Sequence, residues 1–335
     1  MLVAASTAWA IVSMAAAPAI ESGAASALRA RYAALKGRLE QSPFPQHVYI
    51  ESAEGPRGSR ADVFAVVDYP IATVSAASSS PANWCDALIL HLNVKYCRPV
   101  LRKEGTVLSV AIGRKYDQPV SSTYRVEFVY RIAASRPDYV DVELNAPRGP
   151  LGTGNYRIAL AAVGLGDERS FVHVRYSYTD GVASRAAMKM YLATTGRGKV
   201  GFTIIGDPHN PRPEFIGGVR GAIERNSMRY YLAIDAYLGS LAAPPGERFE
   251  QSLMRWFDAT ELYPRQLHEV DRDTYLAMKR GEYRRQQTIQ ETRTAPVRAS
   301  APGAALLLGS QRVSGLPGDR GVAREARACR TCAAR

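Results

Sequence analysis

Apolar and polar side chains alternate in short runs through the first two thirds of the chain, and this period of two predicts strands. The runs are His47 to Ser52, Ala61 to Tyr69, Tyr96 to Arg102, Thr106 to Arg114, Tyr124 to Ala133, Tyr139 to Leu144, Tyr156 to Val163, Phe171 to Tyr178 and Lys199 to Ile205. Between them stand turn residues suited to antiparallel neighbours, such as Glu104-Gly105, Arg136-Pro137-Asp138 and Gly149 to Gly154. Glu54 to Arg60, with two glycines and a proline, reads as a loop. Tyr124, Val126, Phe128, Tyr130 and Ile132 share one side of their strand, and Arg125, Glu127 and Arg131 share the other. Val172, Val174, Tyr176 and Tyr178 oppose His173 and Arg175 in the same way, which predicts a sheet with one apolar and one wet face.

Elsewhere the period changes to that of a helix. Gly217 to Leu241 places Val219, Ile223, Tyr230, Ile234, Tyr237, Leu238 and Leu241 on one stripe and leaves Arg220, Glu224, Arg225 and Arg229 for solvent. Such a helix is roughly 35 Å long at about 1.5 Å per residue, enough to cross a whole sheet. Shorter helices are predicted over Ala25 to Gln41, Ile71 to Ser78, Pro81 to Leu90 and Ala183 to Ala193, with Ser78 to Ser80 as break and cap. Beyond the long helix, Glu247 to Leu262 would pack through Leu253, Trp256 and Phe257, whereas Asp273 to about Gln290 is basic and expected on the surface. The fold class predicted is α+β: a curved antiparallel sheet wrapped around a long C-terminal helix, with extra flanking helices. The chain then divides into a leader (1–19), an N-terminal helix and linker (20–60), the sheet-and-helix domain (61–241), a helical extension (242–291) and a disordered basic tail (292–335), too poor in apolar residues to offset its ordering entropy.

The 335 residues, 46% of them hydrophobic and 22% charged, suffice for one good core with appendages. A net charge of +12 could point to nucleic acid, but the basic residues are scattered rather than gathered in a stripe, which argues against that partner. A transient contact with an anionic membrane surface fits the charge as well. Met1 to Ala19 carries no charged side chain and ends in Ala17-Pro18-Ala19, the small-x-small pattern of a signal-peptidase site. Export, to the periplasm, is the expectation, with an uncleaved N-terminal membrane anchor as the alternative.

In element order the chain resembles the helix-grip fold of the START and Bet v 1-like superfamily. The resemblance runs from about Asp62 to Leu241 and is carried by DVFAVVDYPIATVSAASSSPANWCDAL, a strand followed by two short helices, and by GGVRGAIERNSMRYYLAIDAYL, the closing helix. It implies an apolar cavity between sheet and long helix that holds a lipid, sterol, quinone or polyketide-like molecule, and some members are enzymes.

Candidate chemistry is sparse. Cys85, His91 and Cys97 stand six residues apart and lack the close pairing of structural zinc sites. In an oxidising compartment a Cys85–Cys97 disulfide is the simpler expectation, and a nucleophilic cysteine assisted by His91 is the alternative. Gly196 to Gly201 spells the G-x-G-x-x-G string, but a strand-like run follows where a dinucleotide site needs a helix, so it reads as a flexible turn. Cys329 and Cys332 lie in the tail without thioredoxin-like surroundings. Neither metal nor cofactor is expected. The 18 tyrosines are more informative, because many fall on inward faces where each brings an apolar ring and a hydroxyl in need of a partner. Asn226 and Ser227 interrupt the stripe of the long helix, as a solid core would not. The ligand-binding candidates are therefore Trp84, His91, Phe128, Tyr130, Tyr156, Tyr176, Asn226 and Tyr230, with the Ala183 to Ala193 helix as a lid. The function expected is an exported, non-catalytic binding or carrier protein for an apolar small molecule. An enzyme using His91, Asp86 or cavity tyrosines, and an envelope interaction protein with a filled core, are the alternatives.

Overall fold

Eight of the nine alternating runs are strands of one antiparallel sheet. A computed structural model describes residues 23–207 and 212–294, so the expected leader and nearly all of the expected tail, with Cys329 and Cys332, lie outside the described residues. In chain order the strands are β1 (Val48–Gly55), β2 (Gly58–Val67), β3 (Val94–Arg102), β4 (Gly105–Ile112), β5 (Tyr124–Arg136), β6 (Tyr139–Arg148), β7 (Gly154–Gly164) and β8 (Ser170–Thr179). Across the sheet they run β1-β2-β8-β7-β6-β5-β4-β3. The helices α2 (Ile71–Ser78) and α3 (Pro81–Leu88) carry the chain from β2 to the opposite edge. Ser80 caps α3 by accepting from Asn83 N, and Pro81 occupies the first turn, where its missing N–H is no loss.

Three local expectations fail for identifiable reasons. The loop expected at Glu54 to Arg60 is a tight hairpin in which Gly55 faces Gly58. A Cβ at Gly58 would collide with the Tyr178 carbonyl, so glycine is what lets β2 begin against β8. The ninth run stays out of the eight-stranded sheet: only Ile204–Ile205 (β9) pairs, with Glu214–Phe215 (β10). In β5 the register shifts between Ile132 and Ala134, and both Tyr124 and Ile132 end exposed where the strand outruns the core.

The long helix α5 (Gly218–Ser240) lies against β1, β2 and β8. Its other faces are covered too, which corrects the expectation that its charged residues meet solvent: Glu224, Arg225 and Arg229 are at most 2% exposed. The cause is α6 (Arg248–Glu261), packed along its back, where Trp256 Nε1 donates to the Arg229 carbonyl at 3.2 Å. Glu224 accepts from the backbone N–H of Phe202 and Thr203 at 2.6 and 2.9 Å, so the supposed flexible turn and last strand form a loop clamped to the helix. Gly201 is required there, since a Cβ would strike the Glu224 carboxylate.

After the short α7 (Pro264–Leu267), α8 (Arg272–Thr294) contradicts its reading as a solvated basic helix. It covers the free edge of β3. Gln286 Oε1 accepts from Cys97 N at 2.8 Å, and Lys279 Nζ donates to the His91 and Val94 carbonyls at 2.7 and 2.8 Å. An edge strand so covered offers no template for pairing with other chains. Cys85 and Cys97 form a disulfide, their Cα atoms 5.1 Å apart, which ties α3 to β3.

The far side of the sheet is not uniformly wet either. There α1 (Gly23–Glu40) lays Leu28, Leu35 and Leu39 on Phe64, Tyr139, Val163 and Phe171, a second small core. The sum is a helix-grip fold, with α1, α6, α7 and α8 added to its outside.

Candidate functional site

Alternate residues of a strand point to one face, so Tyr176 and Tyr178 of β8 come to the concave side together, beside Tyr156 of β7. Their rings form a cluster with centroids 5.5 to 6.2 Å apart, and Tyr230 of α5 closes on Tyr176 at 5.1 Å. The β6–β7 loop borders them on one side. Leu151 there sits in the left-handed region at φ 57°, a conformation that costs a residue with a Cβ about 1 kcal/mol or more. On the other side α4 (Val182–Ala193) presents Ala187, Met188 and Tyr191. Ser184 fixes its first turn by exchanging hydrogen bonds with Gly181, accepting at 2.8 Å and donating at 2.9 Å.

These elements enclose a cavity of about 290 Å³ that opens to solvent and includes Asn226 in its lining. Its polar groups fall into two kinds. Tyr156 shares a hydrogen bond with Thr153 Oγ1 at 2.8 Å, and Tyr191 accepts from Arg225 Nη2 at 3.4 Å. By contrast, the Tyr176 and Tyr178 hydroxyls and the Asn226 amide have no hydrogen-bond partner among the described residues. Burial, reinforced by the neighbouring phenols, pushes the Tyr176 hydroxyl well above its ordinary value, so it stays a neutral donor at any physiological pH.

The residues singled out in the sequence separate accordingly. Tyr156, Tyr176 and Asn226 line the cavity, as do Met188 and Tyr191 of the helix expected as a lid. Met190, on the same helix, points outward at 70% exposure. Phe128 and Tyr230 stand behind the lining, Phe128 edge-on to Tyr156 at 6.4 Å. Trp84, Tyr130 and His91 lie apart from it. Trp84 Nε1 and Tyr130 OH both donate to the Ser78 carbonyl, at 2.8 and 3.0 Å, and Trp84 borders a gap of only about 20 Å³ beneath α2 and α3. His91 is buried, stacked on Tyr230 at 4.7 Å, with Nδ1 accepting from Asn93 N. Burial, with the charges of Arg229 and Lys279 behind it, holds His91 well below its ordinary value, so it is neutral. Burial likewise pushes Asp86 up to about 6, yet neither residue borders the cavity. With Cys85 and Cys97 bonded to each other, neither is a free nucleophile or a thiolate ligand. Among the described residues no cluster of three or more His, Cys, Asp or Glu could hold a metal ion.

Pro150, Leu151, Thr153 and Asp180 also line the cavity and were not legible as site residues. The available signal was the glycine-rich Gly149 to Gly154 run, which marks a loop but not which of its side chains turns inward.

No family model matches the chain, and no curated protein matches it. Among solved structures it is similar to a conserved protein from Geobacillus kaustophilus at 10% identity and a TM-score of 0.33, over 55% of this chain and 95% of that one. A START superfamily protein from Mycobacterium smegmatis aligns at 10% identity and a TM-score of 0.28, over 44% and 88% of the two chains. Human StAR-related lipid transfer protein 5 aligns at 9% identity and a TM-score of 0.29, over 50% and 90%.

Proposed function

We propose that this chain binds or carries an apolar small molecule in the cavity between β7, β8, α4 and the N-terminal half of α5. One observation carries the reading: Tyr176, Tyr178 and Asn226 offer polar groups without protein partners to a cavity walled mainly by aromatic and aliphatic side chains, with Thr153, Asp180 and Ser184 also in its lining. A ligand with one or two oxygens matches these groups, and its apolar remainder matches the rings around them. The volume, about 290 Å³, sits at the lower end of ligand pockets, which favours a ring compound or a single short chain over a two-chain lipid.

Carriage is supported by the mouth. Leu151 in its lining is 51% exposed, and on α4, which forms one wall, Val182 and Met190 are 80% and 70% exposed and share the helix with Arg185 and Lys189. Apolar tips flanked by cations suit a transient contact with an anionic membrane surface, from which such a ligand could be taken. The Cys85–Cys97 disulfide supports export, since such bonds persist in oxidising compartments. No described helix is long and apolar enough to cross a membrane.

Native mass spectrometry of the full chain, followed by organic extraction, tests the reading. A stoichiometric apolar adduct, lost when Asn226→Leu removes a polar handle, is expected. Adduct-free protein that also takes up none of a panel of quinones, sterols and fatty acids would refute it and favour the envelope interaction reading.

A further inference from the structure

The opposite face of the sheet carries a second, chemically different depression. Successive outward positions of β7 are Ala159 and Ala161, and the register sets them in two cross-strand rows. One row reads Asp62, Arg175, Ala159, Glu143 across β2, β8, β7 and β6, and the next reads Phe64, His173, Ala161, Asp141. Two alanines in the middle of rows otherwise built from large side chains leave a hollow. With Ala24, Ala27 and Leu28 of α1 as its wall, the hollow measures about 540 Å³.

At one end of this hollow two guanidinium groups are held by a single carboxylate. Asp62, with its side chain 4% exposed, accepts from Arg175 Nε and His173 Nε2, both at 2.7 Å, and lies 3.0 Å from Arg60 Nε. Burial alone would raise Asp62, but the hydrogen bonds from His173 and Arg175 outweigh it and keep the carboxylate charged. Because both arginines are gripped through Nε, their terminal nitrogens make no hydrogen bond among the described residues. A guanidinium fork so oriented matches the two oxygens of a carboxylate. His173 stacks on Phe64 at 4.4 Å, which gives this end of the hollow a flat wall.

We propose that this convex-face hollow is a binding site for a small organic acid, whose carboxylate is clasped by Arg60 and Arg175 while its apolar body rests on Ala159 and Ala161. It is independent of the concave cavity, since the two lie on opposite faces of β7 and β8. Asp62 is a positioning residue that aims the two forks without touching the ligand.

Isothermal titration of the full chain with benzoate tests this, with inorganic phosphate as the comparison. The expected result is saturable binding of one benzoate, weakened at least tenfold by Arg60→Gln and by Arg175→Gln, and also by Ala161→Leu, which fills the floor. Phosphate, lacking a body, should bind at least tenfold more weakly than benzoate. Tyr176→Phe, in the other cavity, should leave benzoate affinity unchanged. Variants that keep the wild-type thermal midpoint qualify for the comparison, and Arg175→Lys, which retains the charge without the fork, stands in for any that does not. Absence of benzoate binding, equal affinity for phosphate, or affinity indifferent to both arginine substitutions would overturn the proposal.

Discussion

Polar groups on the two sides of α5 are met to different degrees. Behind the helix two carboxylates gather the buried cations: Glu282 holds both Lys95 and Lys279 at 2.8 and 2.7 Å, and Glu269 gathers Arg229, Lys115 and Lys199. In front of it, Tyr176, Tyr178 and Asn226 stand at a cavity with nothing in the protein to bond. A satisfied network fixes where helices lie, and its loss is a stability event. Unsatisfied groups beside a void contribute little to the fold, so their loss should register on a ligand instead.

The comparison breaks most visibly at Glu282. Glu282→Gln strands two lysines that are fully buried, and urea unfolding should lose about 3 to 5 kcal/mol. A loss below about 1 kcal/mol would mean that α8 is not held by this pair. Next comes the bond between α3 and β3: the double variant Cys85→Ser, Cys97→Ser should lower stability by about 2 to 4 kcal/mol through a freer unfolded chain. Reductant should shift the wild-type thermal midpoint in the same direction and leave the variant unmoved.

A pH series sharpens the same side of the comparison. Burial would raise Glu269, but Arg229 and Lys115 overcome it and hold the carboxyl near 2, below its ordinary 4.5. With the folded value depressed, the unfolded chain binds more protons in this window. The contribution of Glu269 is thus complete above about 4.5 and is lost as pH falls toward 2. Glu269→Gln should flatten that part of the stability profile, and an unchanged slope would argue against the cluster.

The smallest stability effect is expected in front of the helix. Tyr176→Phe removes a hydroxyl without a protein partner and should change unfolding free energy by no more than about 0.5 kcal/mol. Its ligand affinity should nevertheless fall about five- to tenfold.

This asymmetry also explains what could be read from the sequence. Strand alternation and the apolar stripe of α5 are local and periodic, so the sheet, the long helix and even the Cys85–Cys97 pairing were legible. Burial of Arg225, Arg229, Lys95 and Lys279 was not, because a charged residue on a helix or strand looks solvated until the partner is known. That partner comes from elsewhere in the chain: Glu269 lies 40 residues beyond Arg229, and Glu282 lies 187 beyond Lys95. The same holds within the site. Tyr156, Tyr176 and Asn226 were found by face and by interruption of a stripe, whereas Trp84, Tyr130 and His91 share those signals and are engaged outside the cavity, Trp84 and Tyr130 on the Ser78 carbonyl and His91 on Asn93 and Tyr230. Ala159 and Ala161 carried a faint cue, small residues at alternate outward positions of a strand, which becomes a hollow only once α1 lies over them.

The most direct test of the central claim fills the concave cavity. Ala187→Trp on α4 places an indole in the void, and titration with the neutral dye N-phenyl-1-naphthylamine reads the outcome alongside thermal unfolding. The account predicts wild-type binding at one site and at least a tenfold loss in the variant, with the thermal midpoint unchanged or raised. Dye affinity equal in the two proteins would contradict it.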